Sequence, residues 1–356
     1  MKLLITTNPG MEDLLVKELV SLLNLRTDKL CAHVLNKGRI LINLLVNMSI
    51  NDIFLLAARS NLAHKISMVL AEGNVSKDMR SLDIAYELTL KSCAENYLNQ
   101  HLTFAVRAER IGEHEYTSID LAKHVGQAIV DAVMEKYGIR PPVNLDHPTV
   151  IFDALVVGSK FFLALRISGE ESLHKRGYRI YDHPAALKPT IAYGMLQIAD
   201  LKDGEVLLDP MCGGGTIVIE AARNFKLKNI YCMDISPKHL KGAMKNAIAS
   251  STYDSIVFIL GDARKANEYV KDRVDAIVTN PPYGIRMLRR KYLRKLYSDF
   301  LKSAKNILSN KGRIVIITAE HSLFKEEALK AGYNTLSTRK VLHGNLEVEI
   351  IKIKPT

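Results

Sequence analysis

Apolar positions fall along this chain in two rhythms, and the change comes near residue 200. In the first half, apolar runs of strand length alternate with amphipathic stretches at helical spacing. Residues 3–6 read as a strand, Asn8-Pro9-Gly10 as a turn, 11–23 as an amphipathic helix, 39–46 as a strand and 52–58 as a short helix. A second round follows, with a strand over 66–70, a helix over 82–98 and a strand over 103–108. Leu121, Val125, Ala128, Ile129, Ala132 and Val133 share one side of a helix over 118–137, with Ser118 as its candidate N-cap. Strands over 150–157 and 161–167 join through Gly158-Ser159 as a hairpin. Residues 169–189 are polar and proline-bearing and read as the connection between two halves.

Beyond Gly204 the pattern becomes regular. A buried-type strand over 206–209 leads into a glycine loop and a helix through Ala222. Strand 230–234, helix 237–249, strands 256–261 and 274–279, helix 293–308 and strand 313–318 follow. Strands alternating with helices predict an α/β half built on a doubly wound, mostly parallel sheet. Residues 334–342 and 346–353, around His343-Gly344-Asn345, predict a closing antiparallel pair.

Composition narrows the class. The 356 residues are 47% hydrophobic and 24% charged, ordinary globular usage that excludes wholesale disorder. No apolar run is long enough to span a bilayer, and the opening apolar stretch is too short for a signal peptide. Cys31, Cys93, Cys212 and Cys232 are far apart with no Cys-x-x-Cys pair, which fits neither a disulfide framework nor a zinc site. The expectation is a cytoplasmic protein in a reducing compartment. Charge is uneven: residues 1–200 hold 22 basic and 22 acidic side chains, while 201–356 hold 27 and 16, the whole of the net +11. A basic half attracts polyanions, nucleic acid first among them, although a merely solvated basic surface has the same signature. Between Ala276 and Ser298 there is no acid but Arg286, Arg289, Arg290, Lys291, Arg294 and Lys295. Arg286, Arg290 and Arg294 recur every four residues, a spacing at which like charges repel, so phosphate contact is the expected reason for them.

The candidate chemistry gathers at strand ends. Asp209-Pro210-Met211-Cys212-Gly213-Gly214-Gly215-Thr216 follows a strand and opens a helix, so a ligand can approach its backbone and find free N–H groups. It is neither a dinucleotide fingerprint nor a Walker loop. Alone it is weak evidence, since a tight β–α turn looks the same. Asp234, followed by Ile235, closes the second strand, where a carboxylate can take both hydroxyls of a ribose. Asp262, followed by Ala263, closes the third, near where an adenine amino group would lie. Each acid singly could be a helix cap; three at successive strand ends describe an adenosine-shaped crevice. Cys212 has no paired His and is expected to be a small loop residue rather than a nucleophile.

Asn280-Pro281-Pro282-Tyr283-Gly284, directly after the strand over 274–279, is the most specific signal. An exocyclic amine on a planar ring has a delocalised lone pair and is a poor nucleophile. The Asn280 side-chain oxygen and the Pro281 carbonyl can accept its two hydrogens and expose that lone pair. Consecutive prolines fix the backbone that aims the carbonyl. Tyr283 offers a flat face for a base, a contact worth about 1–3 kcal/mol.

These motifs carry a family resemblance over nearly the whole chain, faintest over residues 1–60. Asp209–Thr216 resembles motif I of class I S-adenosylmethionine-dependent methyltransferases, and Asn280–Tyr283 resembles the tetrad of enzymes that methylate planar amino nitrogens. Phe104-Ala105-Val106-Arg107, Gly112, His114, Tyr116-Thr117-Ser118 and Val125-Gly126-Gln127-Ala128-Ile129 resemble a THUMP domain, an RNA-binding module. Ser172–Arg179 and His183–Lys188 resemble the junction that follows it in RNA guanine-N2 methyltransferases. The whole is most similar to the archaeal and bacterial tRNA enzymes of acceptor-stem position six. This resemblance implies a Rossmann-like methyltransferase sheet ending in an antiparallel hairpin, preceded by a ferredoxin-like plus THUMP α+β half. The implied domains are a ferredoxin-like segment 1–63, a THUMP domain 64–168, a linker 169–189 and a methyltransferase domain 190–356. It further implies S-adenosyl-L-methionine as cofactor, tRNA as partner, no metal, a monomer, and a target guanine that flips into the cleft.

On that footing the expected RNA contacts are Arg286, Arg289, Arg290 and Arg294 beside the active loop. In the neutral first half they are Arg107 and Lys123, with Arg110, His124 and Arg140 as further placed contacts. Lys175, Arg176 and Arg179 either grip RNA or tie the linker down. A 23S rRNA enzyme shares the same plan. A DNA adenine or protein-glutamine enzyme shares the tetrad without the THUMP-like half, and a catalytically silent RNA-binding protein shares the front half. A thiouridine synthase is disfavoured, because no nucleotide-activating phosphate loop appears.

Overall fold

A computed structural model describes the chain apart from residues 184–185, 283–287 and 345 and the side chains of Thr27, Leu288 and Arg289. The chain divides into two compact units, 1–7 with 15–173, and 8–14 with 174–356.

The first unit is built on one seven-stranded sheet. Its strands are β1 (Lys2–Thr6), β2 (Leu30–Asn36), β3 (Arg39–Leu44), β4 (Lys65–Asn74), β5 (Phe104–Ile111), β6 (Val150–Val157) and β7 (Lys160–Arg166), in the order β2-β3-β1-β4-β7-β6-β5. Only β5 and β6 run parallel, as the intervening crossover helix requires. The strands of residues 1–63 and 64–168 share this sheet, because β1 pairs with β4. Helices α1 (Glu12–Leu22), α2 (Ile50–Arg59), α3 (Arg80–Leu90) and α4 (Ser118–Tyr137) accompany it.

Helix α4 spans the residues its apolar stripe predicts, but its cap is Thr117, not Ser118. The Thr117 hydroxyl accepts from the Asp120 N–H (3.2 Å) and the Asp120 carboxylate accepts from the Thr117 N–H (2.9 Å), a reciprocal capping box. The helix expected over 82–98 stops at Leu90. Cys93 takes a left-handed conformation (φ 59°), and a short 3-10 turn over Ala94–Tyr97 follows.

The second unit carries β8 (Val206–Asp209), β9 (Asn229–Asp234), β10 (Val257–Leu260), β11 (Val274–Thr279), β12 (Leu308–Thr318), β13 (Tyr333–His343) and β14 (Leu346–Pro355) in the order β10-β9-β8-β11-β12-β14-β13. The first five are parallel, and β14 and β13 close the sheet antiparallel, as predicted. Its helices are α5 (Pro189–Ile198), α6 (Thr216–Asn224), α7 (Pro237–Ala249), α8 (Ala266–Tyr269), α9 (Leu288–Ile307) and α10 (His321–Lys330). Strand order reverses between β8 and β11, and such a switch point opens a crevice outside the carboxyl ends of the strands. Among the described residues no helix is long and apolar enough to cross a membrane.

Candidate active site

The glycine loop begins where β8 ends. Asp209 is fully buried, and its Oδ1 accepts from the Thr279 hydroxyl (2.7 Å) and the Met211 N–H (3.2 Å). The bond from Thr279 joins the ends of β8 and β11, which flank the switch point, and the bond from Met211 closes the turn that follows β8. Burial pushes the Asp209 carboxyl up to about 7. The loop then crosses to β9. The Cys212 N–H donates to the Met233 carbonyl (2.9 Å), and the Gly213 N–H donates to Asp234 Oδ2 (2.8 Å). Gly213 and Gly215 hold φ of 53° and 77°, a region other residues avoid. A Cβ on Gly215 would lie 3.0 Å from that of Ala243, so α6 starts pressed against α7. Cys212 is buried, and burial, then neighbouring Cys232, raises its thiol well above the usual range, in keeping with the inert loop role expected of it.

Asp234 Oδ1 also accepts from the Ser236 N–H (2.8 Å). Asp262 accepts from the Arg264 N–H (2.9 Å), and its carboxylate is gripped by the Arg264 guanidinium, which holds its carboxyl below the ordinary range. All three acids thus bond the N–H two residues ahead, at Met211, Ser236 and Arg264. Asp262 alone is the cap of the turn it opens, whereas the caps of α6 and α7 are Gly215 and Ser236, and each acid locks its own strand-end turn. With Arg264 across its carboxylate, Asp262 leaves the backbone around Ala263 as the simpler partner for a base.

These ends enclose one cleft of about 270 Å³. Asp209, Pro210, Met211, Cys212, Gly213, Gly214, Thr216, Asp234, Ile235, Asp262, Ala263, Asn280, Pro281 and Pro282 line it, while Gly215 serves as the left-handed cap behind. Tyr283 and Arg286 lie outside the described residues. S-adenosylmethionine fits the donor set. Backbone at a helix start can meet its carboxylate, Asp234 its ribose hydroxyls, and Met211, Ile235 and Ala263 offer apolar surface for its adenine. Asn280 and Pro281 stand at the end of β11 on the same cleft.

The sequence pattern missed the wall made by residues 174–183, which pack on the second unit rather than run free. Tyr178 is buried and donates to Glu220 Oε1 (2.7 Å), and Arg176 Nε lies 3.5 Å from the same oxygen. Asn246 donates to the Tyr181 carbonyl (3.0 Å) and to the Gly214 carbonyl (2.9 Å), binding this strap to the glycine loop. The Tyr181 hydroxyl meets His239 Nδ1 (2.7 Å), and the His239 and His183 rings stand edge to face at 4.3 Å. Both histidines line the cleft, and burial, then His239, lowers the pKa of His183. Two tyrosines in a polar connector were the available sign of packing.

Several expected RNA contacts already have partners. Arg294 pairs with Glu326 and Glu327 (each 2.7 Å), and Arg290 lies 3.8 Å from Glu320. Arg286 being outside the described residues, the four-residue spacing is explained for the described pair by α10 and Glu320, whose acids supply the partners that α9 lacks. The side chain of Arg289 lies outside the description. Arg179 pairs with Asp182 (2.8 Å), Arg176 ties the strap down, and Lys175 is exposed. In the first unit, Arg107 bonds Glu170 (3.0 Å) and the Leu145 carbonyl (2.7 Å), and it borders a shallow groove with Lys123 and Arg140.

Comparison with known proteins agrees with this architecture. Residues 176–349 match the RMKL-like methyltransferase domain and residues 79–166 the THUMP domain. A tRNA (guanine(6)-N2)-methyltransferase of Archaeoglobus fulgidus is 42% identical over 70% of this chain and 69% of its own. One of Thermus thermophilus is 32% identical over 96% of each. The crystal structure of TrmN from Thermus thermophilus superposes with a TM-score of 0.82 at 30% identity, covering 100% of this chain and 99% of that one. The chain therefore belongs to the family of S-adenosylmethionine-dependent methyltransferases that join a THUMP domain to an RMKL-like catalytic domain.

Proposed function

We propose that this chain methylates the exocyclic N2 of a guanosine in tRNA, at position six of the acceptor stem, in a reducing cytosol. The observation that carries the proposal is the placement of Asn280-Pro281-Pro282 on the same cleft as the glycine loop and Asp234. The guanine leaves its stack and enters beside β11, where the Asn280 oxygen and the Pro281 carbonyl accept its two amino hydrogens. S-adenosylmethionine held in this cleft would supply a sulfonium-bound methyl, which the nitrogen positioned by Asn280 and Pro281 would take in exchange for one proton lost to water, the thioether being the leaving group. Since the sulfonium is already electrophilic, in-line positioning is most of the catalysis. Stacking by Tyr283 rests on the motif and offsets part of the flipping cost, a few kcal/mol. Residues 1–63 and 64–168 supply the ferredoxin-like and THUMP parts that dock the RNA, and 190–356 the catalytic domain.

The test is methylation of unmodified total tRNA and, separately, rRNA with labelled donor, followed by nucleoside digestion and mass readout. N2-methylguanosine from tRNA supports the proposal; product from rRNA alone moves the substrate, and methyladenosine moves the atom. Asn280→Ala should lower turnover by about 100-fold or more while donor and RNA affinities hold. Undiminished turnover in that variant would overturn the amine-activation role.

A further inference from the structure

Helix α7 contains no acid and three lysines, Lys238, Lys241 and Lys245, at i, i+3 and i+7, so they form one stripe on a single face. All three are exposed, and no described carboxylate forms an ion pair with any of them. They are unlike the α9 arginines, whose described members have glutamate partners. Like charges at this spacing weaken a helix by a few tenths of a kcal/mol per pair, so local stability does not account for the stripe.

The stripe borders a groove of about 440 Å³ lined by Tyr181, Pro237 and Gly242 besides the lysines. The aromatic floor depends on Gly242, where a Cβ would fall 2.2 Å from the Tyr181 ring. Tyr181 also links the groove to the cleft through His239. Its ring lies on the lysine side, while its hydroxyl holds His239, a lining residue of the donor cleft. A polyanion lying in the groove therefore passes one ring away from His239 on the donor cleft. Aligned, unpaired cations beside a planar ring suit a chain of phosphates and sugars better than a compact anion, which would need one convergent point.

We propose that the α7 groove, with Lys238, Lys241 and Lys245, is a contact surface for the phosphate backbone of the RNA substrate. The proposal rests on the reading of this chain as a tRNA methyltransferase. Its consequence is that the catalytic unit grips RNA next to the donor cleft through α7, rather than chiefly through α9.

The test compares the parent with a Lys238→Glu/Lys241→Glu/Lys245→Glu variant, a Lys→Arg triple at the same positions, and a charge-matched control. The control changes exposed Lys226, Lys228 and Lys271 to Glu; they precede β9 and β11 and so sit at the opposite edge of the sheet from the cleft. The charge reversal should raise the KM for tRNA about tenfold or more and flatten the log–log salt dependence of binding by roughly two to three. Donor affinity, read by calorimetry without RNA, should match the parent's. The arginine triple should keep tRNA binding, and the control should resemble the parent. If the parent methylates tRNA and the reversal leaves its KM and salt slope unchanged, the groove proposal falls and the stripe serves a partner other than RNA. Equal losses in the control would also overturn it, reducing the effect to net charge. A parent that methylates no tRNA would instead overturn the functional reading beneath it.

Discussion

Asp209 and Asp234 are neighbouring acids with opposite work. Asp234 spends both oxygens on backbone N–H groups of Gly213 and Ser236, which fixes the carboxylate at the cleft while leaving lone pairs for a ribose diol. Asp234→Ala should therefore weaken donor binding by about 10–100-fold, the worth of hydrogen bonds to a charged group, and calorimetric affinity equal to the parent's would show the crevice misassigned. Asp209 is buried with its carboxyl raised to about 7, so it behaves as a neutral joint between β8 and β11 at mildly acidic pH. In the unfolded chain the same group ionises near pH 4. Folded protein thus holds a proton that unfolded protein has lost between about pH 4 and 7, and stability falls as pH rises through that window. Asp209→Asn keeps the acceptor for Thr279 and Met211 without the proton. Its stability relative to the parent should climb by up to about 1.4 kcal/mol per pH unit across the window and level off above it. Urea unfolding of both proteins from pH 5 to 8 checks this, and parallel profiles would mean that Asp209 ionises in place without penalty.

At the scale of elements, the strap over residues 174–183 is held where it crosses α7, and Gly242 lies against the Tyr181 ring there. Any side chain there displaces the whole Tyr181 ring, since the built Cβ lies within 2.5 Å of its Cγ. Gly242→Ala should cost about 1–3 kcal/mol through overpacking, and it should also loosen the donor, because the same ring steadies His239 on the cleft wall. A drop in melting temperature with unchanged donor affinity would separate the strap from the site. The strap also marks where the sequence pattern stopped being readable. Helices α4 and α7 and strands β6, β8 and β11 coincide with their apolar stripes or runs, since each buries one side or is wholly interior. Strand β2 buries little beyond Leu30, so it shows no alternation. Helix α5 is buried nearly all round, which erases the helical stripe. In α10 only Leu323, Phe324, Glu327 and Ala328 go inside, too few to stand out from a polar stretch. For the cleft, strand ends and acids were legible because local chemistry puts them there. His183 and His239 were not, because a fold-back brings together segments 56 residues apart.

For the molecule as a whole, each sheet carries its own buried ionic joint. In the second unit, Arg313 bonds Glu205 twice (2.6 and 2.8 Å) and three backbone carbonyls, binding β12 to the entrance of β8. In the first, the Arg166 side chain is 2% exposed and pairs with Asp153, which also accepts from the Ser67 hydroxyl (2.7 Å), so β4, β6 and β7 meet at one carboxylate. Removing that carboxylate strands a buried guanidinium, and Asp153→Ala should cost about 3–5 kcal/mol. Among the described residues each sheet is built from its own strands. The loss should therefore appear as faster amide hydrogen exchange in β4, β6 and β7, with β8, β9, β11 and β12 keeping their protection and the donor its affinity. Exchange that accelerates equally in both sheets would show instead that the units unfold as one, and that stability lost in the THUMP-bearing unit is lost to the donor cleft as well.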